Sequence, residues 1–546
     1  MRQLIVISPY ADLAAVATIV AESQENHLVC SFLLLPSERA RLVGADPNIR
    51  IETMRDYGTD AELGQLDASV QQALMVVEHE SNAGELLRLV HTQLYLHGIK
   101  RERNRFVAGR IRTSFGRPDR LWTCGGPNVS PAAWLEEFPG VEWREIPLVP
   151  AASSVQRTLP AAATNRDTTG AIVVTSLAGL KRTRYFDEVG STAGFFELAA
   201  VRARLKKQWL RNAHSVFRIL PWVWRARMQQ RRLRKHLARH PDGQTRPAAG
   251  VTSWRTLLSL AGNYLLLVAA RRQGARALMA GIHSFSPIQA LAARRIGLPV
   301  YVLQDGYLPI NYPAPLFWQY LGSTMIWWGE PARKWGEGIG LHGAVVAAQF
   351  SHTASTPVGL VRPTTVARVL AAINHGGEWT SLISRCDVDL FANGVMESAR
   401  RMPACEFRIR PHPTGCYHAH DGVNYVERLQ QLIRESGLPN VRVSDQSLSA
   451  DLAWAEFTVT EYSLAVLEYV AANSGGVAVF NPTGRRNFFI EFTEQGVPYA
   501  ETVEELVALL QDGGTAGRSA FQSMLERKPI DIRSALEGAG LDDVGR

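Results

Sequence analysis

The sequence predicts an α/β protein of parallel, doubly wound sheets in two or more domains, and three observations carry that expectation. Short apolar runs of strand length alternate with helix-length patterns along the chain, the mark of successive βαβ units. Two of the runs end abruptly in polar chemistry: Phe407-Arg408-Ile409-Arg410-Pro411-His412-Pro413, and about fifty residues later Thr458-Val459-Thr460-Glu461-Tyr462-Ser463. Such ends fall where open α/β sheets take their ligands, outside the carboxyl ends of the strands. Finally, 546 residues with 46% hydrophobic and 20% charged side chains make a globular chain too long for one ordinary core.

From the N-terminus, Leu4 to Ile7, Val29 to Leu35, Ala73 to Val77 and Leu121 to Thr123 read as strands. The first apolar run is only Leu4-Ile5-Val6-Ile7, far too short for a signal peptide, and reads as a buried strand. Ala277 to His283 is another strand, followed by a helix over Pro287 to Ile296 and the strand Pro299 to Leu303. A second series starts at Val366 to Ile373. It continues with a helix near Asp389 to Arg401, the strand Glu406 to Arg410, a helix near Tyr425 to Ser436 and the strand Val441 to Val443. Phe457 to Thr460, the helix Leu464 to Asn473, the strand Gly476 to Phe480 and a helix around Val503 to Gln511 close it. Two such halves imply two Rossmann-like domains facing each other across a cleft, residues 1–340 and 341–546. The Gly- and Ser-rich stretch from Ala332 to Pro363 marks the boundary.

The net charge of +8 is local, because residues 201–240 hold 13 Lys or Arg and no Asp or Glu. Trp209, Phe217, Trp222, Val223 and Trp224 interleave there with Lys206, Lys207, Arg211, Arg218, Arg225 and Arg227, in a basic helical insertion spanning 200–272. Large apolar groups beside cations suit an interfacial helix on an anionic leaflet. A solvated basic helix or a linker suits the same composition, and Pro221 should break or kink the helix. A nucleic-acid partner is not expected, since no zinc-finger, RNA-recognition or helix-turn-helix signature accompanies the charge. Thr256 to Ala270 is apolar but shorter than the roughly 20 residues that span a bilayer, so it reads as a buried or interface-packed helix. Cys30, Cys124, Cys386, Cys405 and Cys416 are odd in number and form no C-x-x-C pair, which fits a reducing cytoplasm and no disulfide framework. The run His412, Cys416, His418, His420 fits no standard zinc spacing, and no metal or other cofactor is expected.

The strand ends carry the chemistry. Tyr301-Val302-Leu303 delivers Gln304-Asp305-Gly306 to a loop, where Asp305 can act as a general base or cap a turn, as Asp-Gly pairs often do. His412, held between Pro411 and Pro413 beside Arg410, can hold a phosphate or protonate a leaving group, although a lone histidine is more often structural. Ser463 opens a helix, so its hydroxyl and the first free N–H groups form an anion site or an ordinary cap. Glu468, a little over one turn on, can accept from ribose hydroxyls or be a solvated helix charge.

Together, Gln304-Asp305-Gly306, Arg410-Pro411-His412-Pro413 and Thr460-Glu461-Tyr462-Ser463 resemble the motifs of bacterial GT-B transferases with cytidine-nucleotide donors. Their order is similar to that of the bacterial sialyltransferases, polysialyltransferases and capsular Kdo transferases, over residues 280 to 510. The resemblance implies a metal-independent glycosyltransferase moving Kdo, sialic acid or a similar sugar from a CMP-activated donor to a bacterial surface glycan or glycolipid. Asp305 would be the base on the acceptor hydroxyl and His412 the catalytic contact to the donor phosphate. Arg410, Tyr462, Ser463 and Glu468 would complete the donor site. Two acidic residues usually precede the Gly in that family, and Gln304 stands in the first place here. The C-terminal half is equally similar to CDP-glycerol and CDP-ribitol polymerases, which share an Arg-x-His-Pro and an Asp-Tyr-Ser segment but usually carry His where this chain has Asp305. A GT-B scaffold without catalysis is the further alternative. The expected place of work is the inner face of the cytoplasmic membrane, as a peripheral protein held through residues 201–240.

Overall fold

A computed structural model of the chain describes residues 1–8, 11–58, 60–81, 91–124, 129–147, 172–174, 195–197, 221–232, 254–304, 314–346, 366–373, 385–412, 425–463, 465–472, 475–482, 487 and 489–513. They form an α/β protein with three sheets, every strand pair in them parallel. The first and third sheets belong to one compact unit and the second to another.

The first sheet has strand order β3-β2-β1-β4-β5, with β1 Arg2–Ile7, β2 Glu25–Cys30, β3 Arg50–Thr53, β4 Arg120–Thr123 and β5 Glu142–Glu145. Leu4 and Val6 face one core with Val107, Ala108, Ile111 and Trp134, while Ile5 and Ile7 face another with Val16, Ile19, Val20 and Leu42. Two apolar faces on one strand require helices on both sides. They are supplied by α1 Leu13–Ala21 and α2 Pro36–Ala45 on one side, and by α4 His91–Ser114 and α5 Pro131–Glu137 on the other. The expected strand at Ala73 to Val77 lies instead inside the helix α3 Asp60–Ser81. Val70 and Leu74, four apart, are buried while Met75 is exposed, so the period of the run is helical. The expected strand from Val29 starts at Glu25 and stops at Cys30, because Ser31 to Leu35 form the turn into α2.

The second sheet has order β11-β10-β9-β8-β6-β7, with β6 Ile172–Val174, β7 Phe195–Glu197, β8 Ala277–Gly281, β9 Val300–Leu303, β10 Thr324–Trp328 and β11 His342–Val346. Residues 1–340 thus carry two sheets where the sequence pattern suggested one, and the second sheet runs past residue 340 into β11. The three-residue strands β6 and β7 are too short to leave a periodic signal, so the break between the sheets is silent in the sequence. The apolar segment forms the helix α6 Trp254–Arg272. It buries Leu257, Leu260, Leu267 and Ala270, and α7 Pro287–Arg295 follows between β8 and β9. No helix among the described residues is long and apolar enough to cross a membrane.

The third sheet has order β14-β13-β12-β15-β16-β17, with β12 Arg368–Ala372, β13 Glu406–Arg410, β14 Val441–Val443, β15 Phe457–Thr460, β16 Gly476–Phe480 and β17 Tyr499–Ala500. Its helices include α8 Arg385–Arg401, α9 Tyr425–Ser436, α10 Leu448–Trp454, α11 Ala465–Ala472 and α12 Val503–Asp512. The first sheet meets the third through α2 and α9. Arg428 lies 3.3 Å from Glu38, reaches the Leu33 carbonyl and stacks its guanidinium over Phe32, while Ser37 donates to Glu435 at 2.6 Å.

Candidate functional site

The chain reverses direction of winding in the third sheet at β12, since β13 is added on one side of it and β15 on the other. In an open α/β sheet the carboxyl ends of the strands at such a switch point are the usual ligand position. Arg410 and Thr460 are both in register with Ala372, so β13 and β15 end at the same level on either side of β12. Two strand spacings separate them, about 10 Å. The register is held by the Ile373 amide donating to the Arg410 carbonyl at 2.9 Å and by Thr460 Oγ1 donating to the Ala372 carbonyl at 2.9 Å. Pro411-His412 and Glu461-Tyr462-Ser463 therefore leave the sheet side by side at one edge. Pro411 is buried and His412 half-buried, the position a proline-stopped strand gives a side chain.

Arg410 is tied down by its neighbours. Its Nη1 donates to Asp451 Oδ2 at 2.6 Å and to the Gln446 carbonyl at 2.9 Å, and Arg408 Nη1 donates to the other oxygen of the same carboxylate at 3.3 Å. Ser444 also donates to Asp451. Arg408 and Arg410, two residues apart, share one face of β13 and require an acceptor there. Asp451 from α10 is that acceptor, a residue not singled out from the sequence although the Arg-x-Arg spacing signals the need for it. The network uses Nη1 of Arg410, whose side chain keeps 17% exposure.

On the other side of β12, Ser463 Oγ accepts from the Ala465 amide at 3.3 Å, and the Val466 amide donates to the Ser463 carbonyl at 3.2 Å. Ser463 thus caps the first turn of α11 and takes up the amides of both Ala465 and Val466. Tyr462 is half-buried with its ring 5.6 Å from that of Phe489. Glu468, in the first turn of α11, is buried at 5% exposure, which removes the solvated-charge reading. Glu461 is buried at 8% and joins Asn481 and Tyr499 around the neighbouring strand ends, where Asn481 donates to the Tyr499 hydroxyl at 3.0 Å. Burial, then the hydrogen bond to Glu501 and the nearby Glu461 charge, push the Tyr499 phenol above its usual range, so it stays neutral.

The structure brings Arg410, His412, Tyr462, Ser463 and Glu468 to one end of one sheet. Asp305 lies outside the described residues, as do Cys416, His418 and His420. Asp305 follows β9 of the second sheet, where Gln304 is buried and its amide continues the strand by donating to the Ile326 carbonyl at 3.0 Å. Among the described residues no group of three His, Cys, Asp or Glu side chains is arranged to hold a metal ion.

No protein-family model matches the chain, and no curated protein matches it in sequence. Solved structures similar to it include an α,α-trehalose-phosphate synthase (UDP-forming) from Burkholderia vietnamiensis, at 11% identity and a TM-score of 0.35 over 54% of this chain and 80% of that one. MurG of Acinetobacter baumannii is similar at 11% identity and a TM-score of 0.32, over 52% and 79% of the two chains. The UDP-GlcNAc 2-epimerase of Neisseria meningitidis is similar at 9% identity and a TM-score of 0.38, over 67% and 99%. At these values the likeness is weak, and the assignment of function rests on the site itself.

Proposed function

We propose that this chain is a glycosyltransferase of the GT-B type that takes a CMP-activated sugar, Kdo, sialic acid or a relative, and transfers it to a hydroxyl of a bacterial surface glycan or glycolipid. One observation supports the reading: β13 and β15 end at a shared level on either side of β12, so His412 and Ser463 follow at the same end of one sheet. A histidine and a helix N-terminus are two anion-seeking groups of different kinds, and a nucleotide phosphate is an anion that uses both.

In this reading the third sheet holds the donor. His412 and the Ser463 hydroxyl, at the positive end of α11, neutralise the phosphate as it leaves, Arg410 adds its remaining donors, and Tyr462 lies alongside. Glu468, fixed in the first turn of α11, turns toward the ribose hydroxyls. Asp305, after β9 of the second sheet, takes the proton of the acceptor hydroxyl. The bond from the sugar's anomeric carbon to the phosphate oxygen breaks, a bond from that carbon to the acceptor oxygen forms, and CMP departs. The phosphate is already a stabilised leaving group, so positioning and charge neutralisation supply most of what catalysis requires, and no step is routed through a metal. The acceptor would be held at the inner face of the cytoplasmic membrane, with residues 201–240 toward the anionic surface and no nucleic acid involved.

Incubating the purified protein separately with CMP-Kdo, CMP-sialic acid, CDP-glycerol and UDP-GlcNAc, and measuring the nucleotide released, tests the proposal. The expected result is CMP from one CMP-sugar, lost in Asp305→Ala and His412→Ala. Release from CDP-glycerol alone would move the chain to the polyol-phosphate transferases, and release that survives both substitutions would overturn the residue assignments. No release from any donor by a protein that still binds CMP would favour a scaffold without catalysis.

A further inference from the structure

We infer that the outward face of the 221–232 helix is a docking surface for an anionic lipid bilayer. Residues 221–232 are helical, and the expected break at Pro221 falls at the margin of the described residues. The inner face is Trp222, Ala226 and Gln230, spaced four apart. Ala226 packs with Leu257 and Leu260 of α6 and Leu291 of α7, and the Trp222 ring lies 5.7 Å from that of Tyr264. That packing fixes the helix rotation and decides what faces outward.

The outward residues are Trp224 at 65% exposure and Met228 at 39%, one turn apart, with Arg231 following at the next turn. Leu258, next to the buried Leu257 on α6, is 68% exposed. These three are among the few large apolar side chains that the described chain leaves in water. Arg225, Arg231 and Arg232 are exposed on the 221–232 helix and make no ion pair among the described residues. The surrounding segment, 201–240, has no acidic residue at all. An indole and a thioether one turn apart on a helix face that also carries exposed guanidinium groups match a bilayer surface: the apolar groups enter the headgroup boundary while the cations meet anionic headgroups. Nucleic acid would meet the cations and the indole equally well but offers nothing to Met228.

This inference deepens the reading of a membrane-held acceptor given above, and its test uses no nucleotide or sugar, so either can fail alone. The full chain is sedimented with vesicles of phosphatidylcholine containing phosphatidylglycerol, with phosphatidylcholine alone, and with duplex or single-stranded DNA as competitor. Binding to the anionic vesicles that falls with salt is expected. Each of Arg225→Gln, Arg231→Gln and Arg232→Gln should weaken it about fivefold, and Trp224→Gln with Met228→Gln at least tenfold. All five side chains are outside the core, so an unchanged melting temperature accompanies each loss. Equal binding to neutral and anionic vesicles, binding unaffected by these substitutions, or displacement from vesicles by equimolar DNA would overturn the inference.

Discussion

Asp451 holds the end of β13 through one buried carboxylate. Its side chain has 0% exposure and accepts from Arg410 at 2.6 Å and Arg408 at 3.3 Å, whose own side chains are only 17% and 13% exposed. An ion pair at about 4 Å is worth roughly 4 kcal/mol at an effective dielectric near 20, and removing one partner of a buried pair costs about 3–5 kcal/mol because the other charge stays behind. Asp451→Ala strands two guanidinium groups and also releases the Ser444 hydroxyl, which places the loss at the upper part of that range. Asp451→Asn keeps an acceptor for one arginine and should cost about 3 kcal/mol. At about 2–4 °C per kcal/mol for a unit of this size, the alanine variant should melt roughly 10 °C lower. Trp454, over which the Arg408 guanidinium sits at 3.7 Å, gives a fluorescence signal close to the lesion. Glu504→Gln, which breaks the exposed pair with Arg401 at 2.6 Å, is the matched control and should shift the midpoint by less than about 2 °C. Equal shifts in the two variants would refute the argument that Asp451 organises the end of β13.

Two further outcomes follow from the first sheet. Arg428→Ala removes the link from α9 to Glu38 and the Leu33 carbonyl and leaves Glu38 and Asp389 without their shared cation. It should lower stability by about 3 kcal/mol and open the α2–α9 contact to limited proteolysis, whereas undisturbed digestion kinetics would show that the contact is not held by Arg428. His27 is fully buried on β2 between Glu52, at 2.8 Å, and the Phe115 ring, and burial lowers its pKa below 6.5. The unfolded chain then binds more protons than the folded one below about pH 6.5, so stability is full above that pH and declines as pH falls toward the folded pKa. His27→Gln should flatten the urea midpoint between pH 7 and 5, and a midpoint of wild type that rises on acidification would contradict the burial argument.

The α/β class and the third sheet were legible in the sequence because β12, β15 and β16 are largely buried and β13 alternates Phe407 and Ile409 with charged residues up to the stop at Pro411. Glu406–Arg410, Tyr425–Ser436 and Gly476–Phe480 could be bounded to the residue. The first sheet was half legible: Arg2–Ile7 and Arg120–Thr123 carry apolar runs, but β3 reads Arg-Ile-Glu-Thr and β5 Glu-Trp-Arg-Glu, edge strands whose charges hide them. Ala73 to Val77 misled because five apolar residues in a row fit either period, and only the burial of Val70 and Leu74 against exposed Met75 decides. At the site, His412 and Ser463 stood out because a proline and a strand end mark them. Asp451 did not, because its role comes from a pairing across about forty residues that no local pattern records.

The central claim is that the carboxyl edge of the third sheet binds a nucleotide phosphate, and titrating CMP into the full chain by calorimetry tests it most directly. Saturable binding is predicted, weakened roughly 10- to 100-fold by His412→Ala and to a similar degree by Ser463→Ala, as the loss of a hydrogen bond to a charged group requires. CMP binding that is unchanged in both variants would place the nucleotide elsewhere and contradict the account.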